Sequence, residues 1–285
     1  MDIDIDNLKR WIGTTVVASD RVTPGPPTAL AATLDRERIY IAGEALPPPW
    51  HWLFFLSMGT LADAGPDGHP KRGGFLPPVP LPRRMWAGSR MTFFSPLRVG
   101  DEVERVSRIL DVTSKEGRSG ALVFVKVRHE ISRGDVRLLT DDHDIVYRGL
   151  PPPLEPSAAA KAAPTDHAFE REIRPDPVLL FRYSALTFNS HRIHYDHPYV
   201  TKVEGYPGLI VHGPLIATLL LDLVLRQSPR TVIRSFEFRA AKPLFDTAPF
   251  FVCGRPENGG RVALWAKNAE GELCMDAVAV TDGLG

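Results

Sequence analysis

The longest apolar run of the chain begins at Gly213-Pro214 and continues to Leu225. It consists mainly of Leu, Ile, Ala and Thr, and no residue after Pro214 breaks a helical pattern. Proline suits the first turn of a helix, because the N–H that it lacks would have no partner there. The run therefore predicts a helix whose N-terminus offers unpaired backbone N–H groups and the positive end of a dipole.

Alternating hydrophobic and polar positions predict two sets of strands. Residues 91–148 form the first set, with turns at 115–120 and 133–135, and residues 231–282 form the second, with turns at 256–260 and 270–272. Strands joined by short glycine-bearing turns indicate antiparallel meanders. The remaining pattern predicts helices over 6–12 and 25–34, strands over 14–22 and 167–174, and an irregular segment over 40–95.

The two sets of elements follow the same order, which indicates an internal duplication. Gly25-Pro26 opens a helix before the first meander, as Gly213-Pro214 does before the second. A helix wrapped by a curved antiparallel sheet is an α+β unit, and two such units can pair their sheets edge to edge. We expect an N-terminal unit over residues 1–149, a Pro/Ala-rich linker over 150–166 and a C-terminal unit over 167–285.

Composition narrows the class of protein. Lys and Arg number 34, as do Asp and Glu, so no net charge recruits nucleic acid or an acidic membrane. The apolar helix is too short to span a bilayer, and no secretion signal is recognisable. Cys253 and Cys274 lie in apolar strand patterns and predict buried thiols rather than a disulfide. These features favour a cytoplasmic enzyme or binding protein.

Candidate chemistry is concentrated immediately before the apolar helix. Four of the nine histidines lie within residues 181–222, namely His191, His194, His197 and His212. A histidine-bearing loop beside a helix N-terminus can move a proton while backbone N–H groups polarise a carbonyl oxygen. We therefore place the active site there.

The loop and the helix that opens with His-Gly-Pro-Leu resemble the MaoC-like, R-specific enoyl-CoA hydratase family. That family carries Asp-x-Asn-Pro-aliphatic-His on a loop, and residues 189–194 read Asn-Ser-His-Arg-Ile-His. His194 therefore takes the signature His position, whereas Asn189 replaces the usual catalytic Asp, and an amide cannot act as a general base. The segment Pro-Pro-Pro-Trp-His-Trp at 47–52 is similar to that of a two-unit branch with a degenerate N-terminal half.

This resemblance implies a double hot-dog fold and a cofactor-independent hydro-lyase acting on an α,β-unsaturated acyl-CoA. The substrates of the branch include the branched C5 dicarboxylyl esters mesaconyl-C4-CoA and itaconyl-CoA, which give citramalyl-CoA. The catalytic loop would belong to the C-terminal half, and the N-terminal half would shape the acyl pocket. A homodimer is expected by analogy.

The resemblance also suggests individual roles. His194 would be the general acid/base and the Gly213 N–H the oxyanion donor, with His212 beside it. Asn189 could orient water or merely hold its own turn, and His191 could be a second polar group on the water or substrate. Asp196 could set the His194 tautomer, replace the missing catalytic Asp or only cap a turn. Substrate-binding candidates are His212 and, each weighed against ordinary packing or solvation, Arg192, Tyr183, Tyr206, Trp50, Trp52, Arg83 and Arg84.

Two other functions stay open at this point. One is an R-3-hydroxyacyl-thioester dehydratase of fatty-acid or polyketide type, and the other is an acyl-CoA-binding protein without activity, for which Asn189 is the best support. We considered metal sites at His191/His194/Asp196 and at residues 141–144, but neither spacing is specific. We expect no metal, because hydration of an activated thioester needs none.

Overall fold

A central buried helix, α5, organises the C-terminal half in the computed structural model, which describes residues 3–71, 73–117, 120–149 and 161–283. It spans Gly213–Gln227, and every residue from Leu215 to Val224 is buried. A helix that is apolar on all sides must be covered by other elements. Pro214 lies in its first turn, as predicted, and the following Pro229 prevents its continuation.

Five antiparallel strands curve around α5. They are β6 (Phe169–Ile173), β7 (Ile233–Ala240), β8 (Phe250–Pro256), β9 (Arg261–Asn268) and β10 (Leu273–Thr281). Their spatial order is β7-β10-β9-β8-β6. Cys253 and Cys274 are buried free thiols on β8 and β10, as predicted.

The N-terminal half repeats this plan with a shorter helix. Its strands are β1 (Thr15–Arg21), β2 (Arg83–Phe93), β3 (Glu102–Gly117), β4 (Gly120–Arg133) and β5 (Val136–Arg148), in the order β1-β3-β4-β5-β2. Its helices are α1 (Ile5–Lys9) and α2 (Gly25–Thr33). The predicted α+β double hot-dog is confirmed, with all described strands in one ten-stranded sheet.

The two halves join where β2 pairs with β7. Ser89 lies opposite Phe238 and Met91 opposite Phe236, so the predicted edge-to-edge pairing is present. A Cβ atom on Gly88 would lie 2.5 Å from the carbonyl oxygen of Phe238, so only glycine permits this close approach. The β2–β7 pairing therefore joins the two half-sheets into one continuous sheet.

Ion pairs to a buried carboxylate form a second contact between the halves. The Asp222 side chain on α5 is 3% exposed and pairs with Arg171 of β6 at 2.9 Å and with Arg226 at 2.6 Å. Arg36, which follows α2 in the N-terminal half, pairs with the same carboxylate at 2.5 Å. Arg226 also donates to the carbonyl oxygen of Leu34 at 2.7 Å.

Some sequence expectations need correction. The segment 40–95 is not irregular throughout, because β2 begins at Arg83 and 3-10 helices span Trp50–Leu53 and Leu61–Asp63. Two helices were not predicted, α3 (Pro177–Leu186) and α4 (His197–Lys202), although each has an aspartate cap followed by proline in the first turn.

The predicted unit boundaries remain predictions. Residues 150–160 of the expected linker lie outside the described residues. Residues 161–163 already lie against the C-terminal half, since Leu273 donates to the Lys161 carbonyl and Ala163 to the Gly271 carbonyl. Among the described helices, none combines the length and the hydropathy needed to cross a membrane.

Candidate active site

The histidine loop lies between α3 and α5 and is held by its own backbone contacts. The side-chain oxygen of Asn189 accepts the N–H of His191 at 3.0 Å, which is the turn-holding role. A 3-10 turn over Arg192–His194 follows, and Asp196 then caps α4 by accepting the N–H of Tyr199 at 3.1 Å. The loop is therefore a fixed platform for His194.

His194 is buried and is held as the tautomer that a general base requires. Its Nδ1 lies 2.7 Å from the carbonyl oxygen of Ile210, which can only accept, so Nδ1 carries the proton and Nε2 keeps its lone pair. Burial lowers the pKa of His194 to about 4 against the opposing effect of that carbonyl. The ring is consequently neutral at physiological pH and able to take a proton at Nε2.

The ring of His194 is stacked on that of His212, with centroids 3.7 Å apart. His212 is the cap residue of α5 and lies 2.8 Å from the Ser184 hydroxyl through its Nε2. Its Nδ1 is buried and has no hydrogen-bond partner within the described part of the chain. Burial lowers the pKa of His212 well below its ordinary value, so this ring is neutral too.

Gly213 follows His212 directly and begins α5. No acceptor among the described residues takes its N–H, as expected at the first position of a helix. A Cβ atom built on Gly213 would meet nothing within 4 Å. Close packing therefore does not explain the glycine, and the helix N-terminus borders open space.

Asp196 does not set the His194 tautomer, contrary to one of the three alternatives for it. Its carboxylate binds Arg192 at 2.8 Å in addition to capping α4, while the Ile210 carbonyl fixes the His194 tautomer. Asp196 thus stabilises the loop through Arg192 and the start of α4. The backbone carbonyl could not be predicted, because it has no signature in the sequence.

A segment from the N-terminal half lies on the histidine loop. Arg192 donates its backbone N–H to the Asp67 carbonyl at 2.9 Å, and the Ser190 hydroxyl donates to the Gly68 carbonyl at 2.6 Å. The rings of His69 and His191 are 3.9 Å apart. Burial lowers the pKa of His191 to about 2, so it is a neutral polar group beneath this segment.

A cavity of about 340 Å³ extends between the halves beside this loop. The C-terminal half contributes Tyr183, Thr187, Asn189 and Pro214 to its wall, next to the start of α5. The N-terminal half contributes most of the remaining lining, including Trp52, Phe55, Trp86, Arg105, His129, Asp141 and His143. A concave, mostly apolar space with a few polar groups is the usual form of a small-molecule site.

Part of the cavity wall is a buried polar cluster around Asp141 whose assembly the sequence did not predict. Asp141 accepts from His51 at 3.1 Å, from Trp52 at 2.9 Å and from His143 at 2.8 Å, and also from the Ser89 hydroxyl. The four groups come from a 3-10 helix and two strands, so only the strand register brings them together. Residues 141–144 alternate between the two faces of β5, and Asp142 and Asp144 pair with Arg128 and Arg90 instead.

The predicted substrate-binding residues separate into two groups. Trp52 and Tyr183 line the cavity. The others engage protein groups: Trp50 packs on Tyr40 in the core, Arg83 pairs with Glu204 over the ring of Tyr206, and Arg192 pairs with Asp196. Arg84 lies close enough to His191 to influence its pKa electrostatically.

Among the described residues, two sets of side chains have ligand atoms close enough to hold a metal ion. Asp67, His69 and His191 form one set, and His167, Glu170 and Cys253 form the other, each with its ligand atoms within 4.8 Å. Only the first lies near His194. It differs from both sets that the sequence suggested.

The fold and site define a double hot-dog protein of the MaoC-like type. Solved structures of the same fold include a MaoC-like dehydratase from Phytophthora capsici, with a TM-score of 0.70 and 16% identity over 97% of this chain and 98% of that one. HtdX of Mycobacterium tuberculosis has a TM-score of 0.68 and 21% identity over 94% and 99%.

Residues 49–246 match the hydroxyacyl-thioester dehydratase type 2 family, and the chain belongs to that family. It is 44% identical to the mesaconyl-C4-CoA hydratase of Chloroflexus aurantiacus over 96% of this chain and 97% of that protein. It is 26% identical to the mitochondrial hydroxyacyl-thioester dehydratase type 2 of Schizosaccharomyces pombe over 73% and 77%. The expected family and enzyme class, a hydro-lyase, are confirmed.

Proposed function

We propose that this enzyme adds water to a branched C5 dicarboxylyl-CoA, with mesaconyl-C4-CoA as substrate and citramalyl-CoA as product. The observation that carries the proposal is the 44% identity to the Chloroflexus hydratase across nearly the whole of both chains. Itaconyl-CoA belongs to the same chemical class and is the second substrate to test. The proposed reaction uses no cofactor.

His194 would act at the β-carbon of the enoyl group. Its Nε2 removes a proton from water as the water oxygen bonds to the β-carbon, and the π electrons move to the thioester oxygen. The imidazolium, or water in exchange with it, then returns a proton to the α-carbon, so that one water is added in total. The Ile210 carbonyl supports this role, because it fixes the proton on Nδ1 and stabilises the charged ring.

Gly213 would stabilise the enolate that forms in this step. Its N–H lies at the positive end of the 15-residue helix α5 and beside the cavity wall at Pro214. A donor that is already fixed in place needs no reorganisation as charge develops on the oxygen. Binding the thioester there would direct the β-carbon toward the histidine loop.

Asn189 would orient the water without taking its proton. Its side-chain oxygen already accepts the His191 N–H, so the amide N–H₂ remains as a donor to the water oxygen from the cavity wall. In this arrangement His194 is the sole base. His191, held neutral beneath His69, would be a second polar neighbour of the substrate.

The alternative function is dehydration of an R-3-hydroxyacyl thioester, which the Schizosaccharomyces relative favours. A panel of mesaconyl-C4-CoA, itaconyl-CoA and crotonyl-CoA, with the hydrated products quantified by liquid chromatography, separates the two. We expect mesaconyl-C4-CoA to have the highest kcat/KM. Preference for crotonyl-CoA would favour the dehydratase. Tight CoA-ester binding without any turnover would indicate a non-catalytic binding protein.

We further propose the cytoplasm as the compartment and a homodimer as the assembly, by analogy with other hot-dog proteins. Light scattering coupled to size-exclusion chromatography tests the assembly, because one chain has a mass of 31.5 kDa. A monomeric elution would reject the dimer and leave the catalytic proposal intact.

A further inference from the structure

We propose that Arg105 binds the free carboxylate of a dicarboxylic acyl thioester inside the cavity. The inference deepens the proposed function, on which its substrate class rests. Arg105 lies on β3 and contributes to the cavity wall, opposite Ile131 of β4. None of the sequence patterns singled it out.

Arg105 carries a charge that the described protein groups do not neutralise by contact. Its Nε atom is buried and has no hydrogen-bond partner within the described ranges. Burial is the main cause that lowers its pKa, yet a guanidinium keeps its proton at physiological pH. Buried charges are costly unless they are paired, so this position favours an anionic ligand.

Two carboxylates, those of Asp141 and Asp20, act electrostatically on Arg105, but both accept hydrogen bonds from other donors. Asp141 accepts from Ser89, His51, Trp52 and His143, which fills the roughly four acceptor positions of a carboxylate. Asp20 accepts the N–H of Arg21 at 2.7 Å and the N–H of Phe55 at 2.6 Å. Both act on Arg105 from a distance without forming an ion pair with it.

Phe55 orients the guanidinium from one face. The guanidinium carbon lies 5.0 Å from the centre of the Phe55 ring, within the range of a cation–π contact. Phe55 has a φ of 56°, an unfavourable value for a bulky side chain, and the bond from its N–H to Asp20 holds it there. Stacking on one face leaves the planar edge of the guanidinium available for a bidentate contact with a carboxylate.

The test measures binding of saturated, unreactive thioesters by calorimetry. Methylsuccinyl-CoA carries the carboxylate, and isovaleryl-CoA replaces it with a methyl group. Succinyl-, glutaryl- and adipyl-CoA extend the series to other chain lengths, each compared with an acyl-CoA in which a methyl group replaces the carboxylate. We expect the wild-type protein to bind methylsuccinyl-CoA about 10- to 100-fold more tightly than isovaleryl-CoA. Arg105→Met should abolish this preference, and Arg105→Lys should retain part of it.

Arg108→Met is the matched control, since Arg108 is an exposed residue on the same strand, three positions away. It should leave the carboxylate preference unchanged. A wild-type protein with no preference for any carboxylated thioester, or a preference that survives Arg105→Met, would overturn the inference. An Arg105-dependent preference only for glutaryl- or adipyl-CoA would support the carboxylate site while rejecting the proposed C5 substrate. If Arg105→Met does not fold, the carboxylate preference of the wild-type protein and of Arg105→Lys still tests the inference.

Discussion

The imidazole rings of His194 and His212 lie nearly parallel, with centroids 3.7 Å apart and an interplanar angle of 19°. Each ring forms a hydrogen bond to a different part of the chain, His194 to the Ile210 carbonyl and His212 to the Ser184 hydroxyl on α3. The stack therefore fixes the proposed base against the residue that precedes the proposed oxyanion donor. His194 and Gly213, about twenty residues apart in the sequence, are therefore held in a fixed relative position.

The pH dependence of turnover should reflect the lowered pKa of His194. A general base works in its neutral form, and the pKa of about 4 keeps His194 neutral above that pH. We expect kcat/KM to be independent of this group from pH 8 down to about 5 and to fall as the pH approaches 4. His194→Gln, checked for folding by circular dichroism, should lose about 10²- to 10⁴-fold in kcat at pH 7. A well-folded variant with the wild-type rate would reject His194 as the base.

His212 should make the protein less stable in acid. Its folded-state pKa is lowered, so the unfolded chain binds more protons below about pH 6.5, and the free energy of unfolding falls as the pH decreases through that value. His212→Gln, which can still bond to Ser184, removes one such proton. Between pH 8 and pH 5 in urea titrations, the variant should lose about 2 kcal/mol less than the wild-type protein, because only the roughly 1.5 pH units below pH 6.5 contribute, at about 1.4 kcal/mol each. The difference in the free energy of unfolding between the variant and the wild-type protein at pH 8 measures any packing defect. An equal dependence of this free energy on pH in both proteins would contradict the prediction.

Gly68 should be required for the N-terminal segment to lie on the histidine loop. Its φ is 87°, and an added Cβ atom would overlap the backbone carbonyl oxygen of Ser190. We expect Gly68→Ala to lower kcat/KM by at least about 10-fold by displacing this contact. Gly73→Ala is the control, because Gly73 has a φ of 93° but its Cβ position is no closer than 3.9 Å to any atom. Equal effects would attribute the loss to backbone strain alone.

Asp222 should contribute more to stability than an exposed ion pair does. Its buried carboxylate compensates Arg36, Arg171 and Arg226, so Asp222→Asn leaves those charges without their common partner. We expect the free energy of unfolding to fall by about 3–5 kcal/mol in chemical denaturation. Asp282→Asn breaks the exposed pair with Arg234 and should cost far less. A similar cost for both variants would mean that the tie between the halves is not important for stability.

The sequence predicted the elements whose signals are local. The Gly213-Pro214 helix start and the histidine loop each occupy a short stretch, and both lie where the pattern placed them. By contrast, residues 83–90 of β2 were missed because Ala87 and Gly88 interrupt the alternation at a bulge, and this glycine permits the pairing with β7. Loss of a regular pattern there reflects a tertiary contact.

The polar end of the cavity could not be predicted, for a related reason. Asp141, His51 and Arg105 lie on separate elements, and only the register of β3, β4 and β5 with the helical turn at Trp50 brings them together. The sequence suggested Asp141 only as a possible metal ligand and His51 only as part of the segment 47–52, and Arg105 did not stand out at all. The same holds for the Ile210 carbonyl, which sets the His194 tautomer without using a side chain.

The role of Gly213 can be tested by removing its N–H while keeping the start of the helix. Gly213→Pro lacks the donor, yet proline is accepted at the first helical position, and the extended conformation of His212, with φ −60° and ψ 129°, suits a residue before proline. Gly213→Ala keeps the donor and adds a methyl group that meets no protein atom within 4 Å. If the N–H stabilises the enolate, the Pro variant should lose about 10²- to 10³-fold in kcat, and the Ala variant far less. Melting temperatures show whether both fold, and equal losses in two folded variants would exclude the N–H as the oxyanion donor.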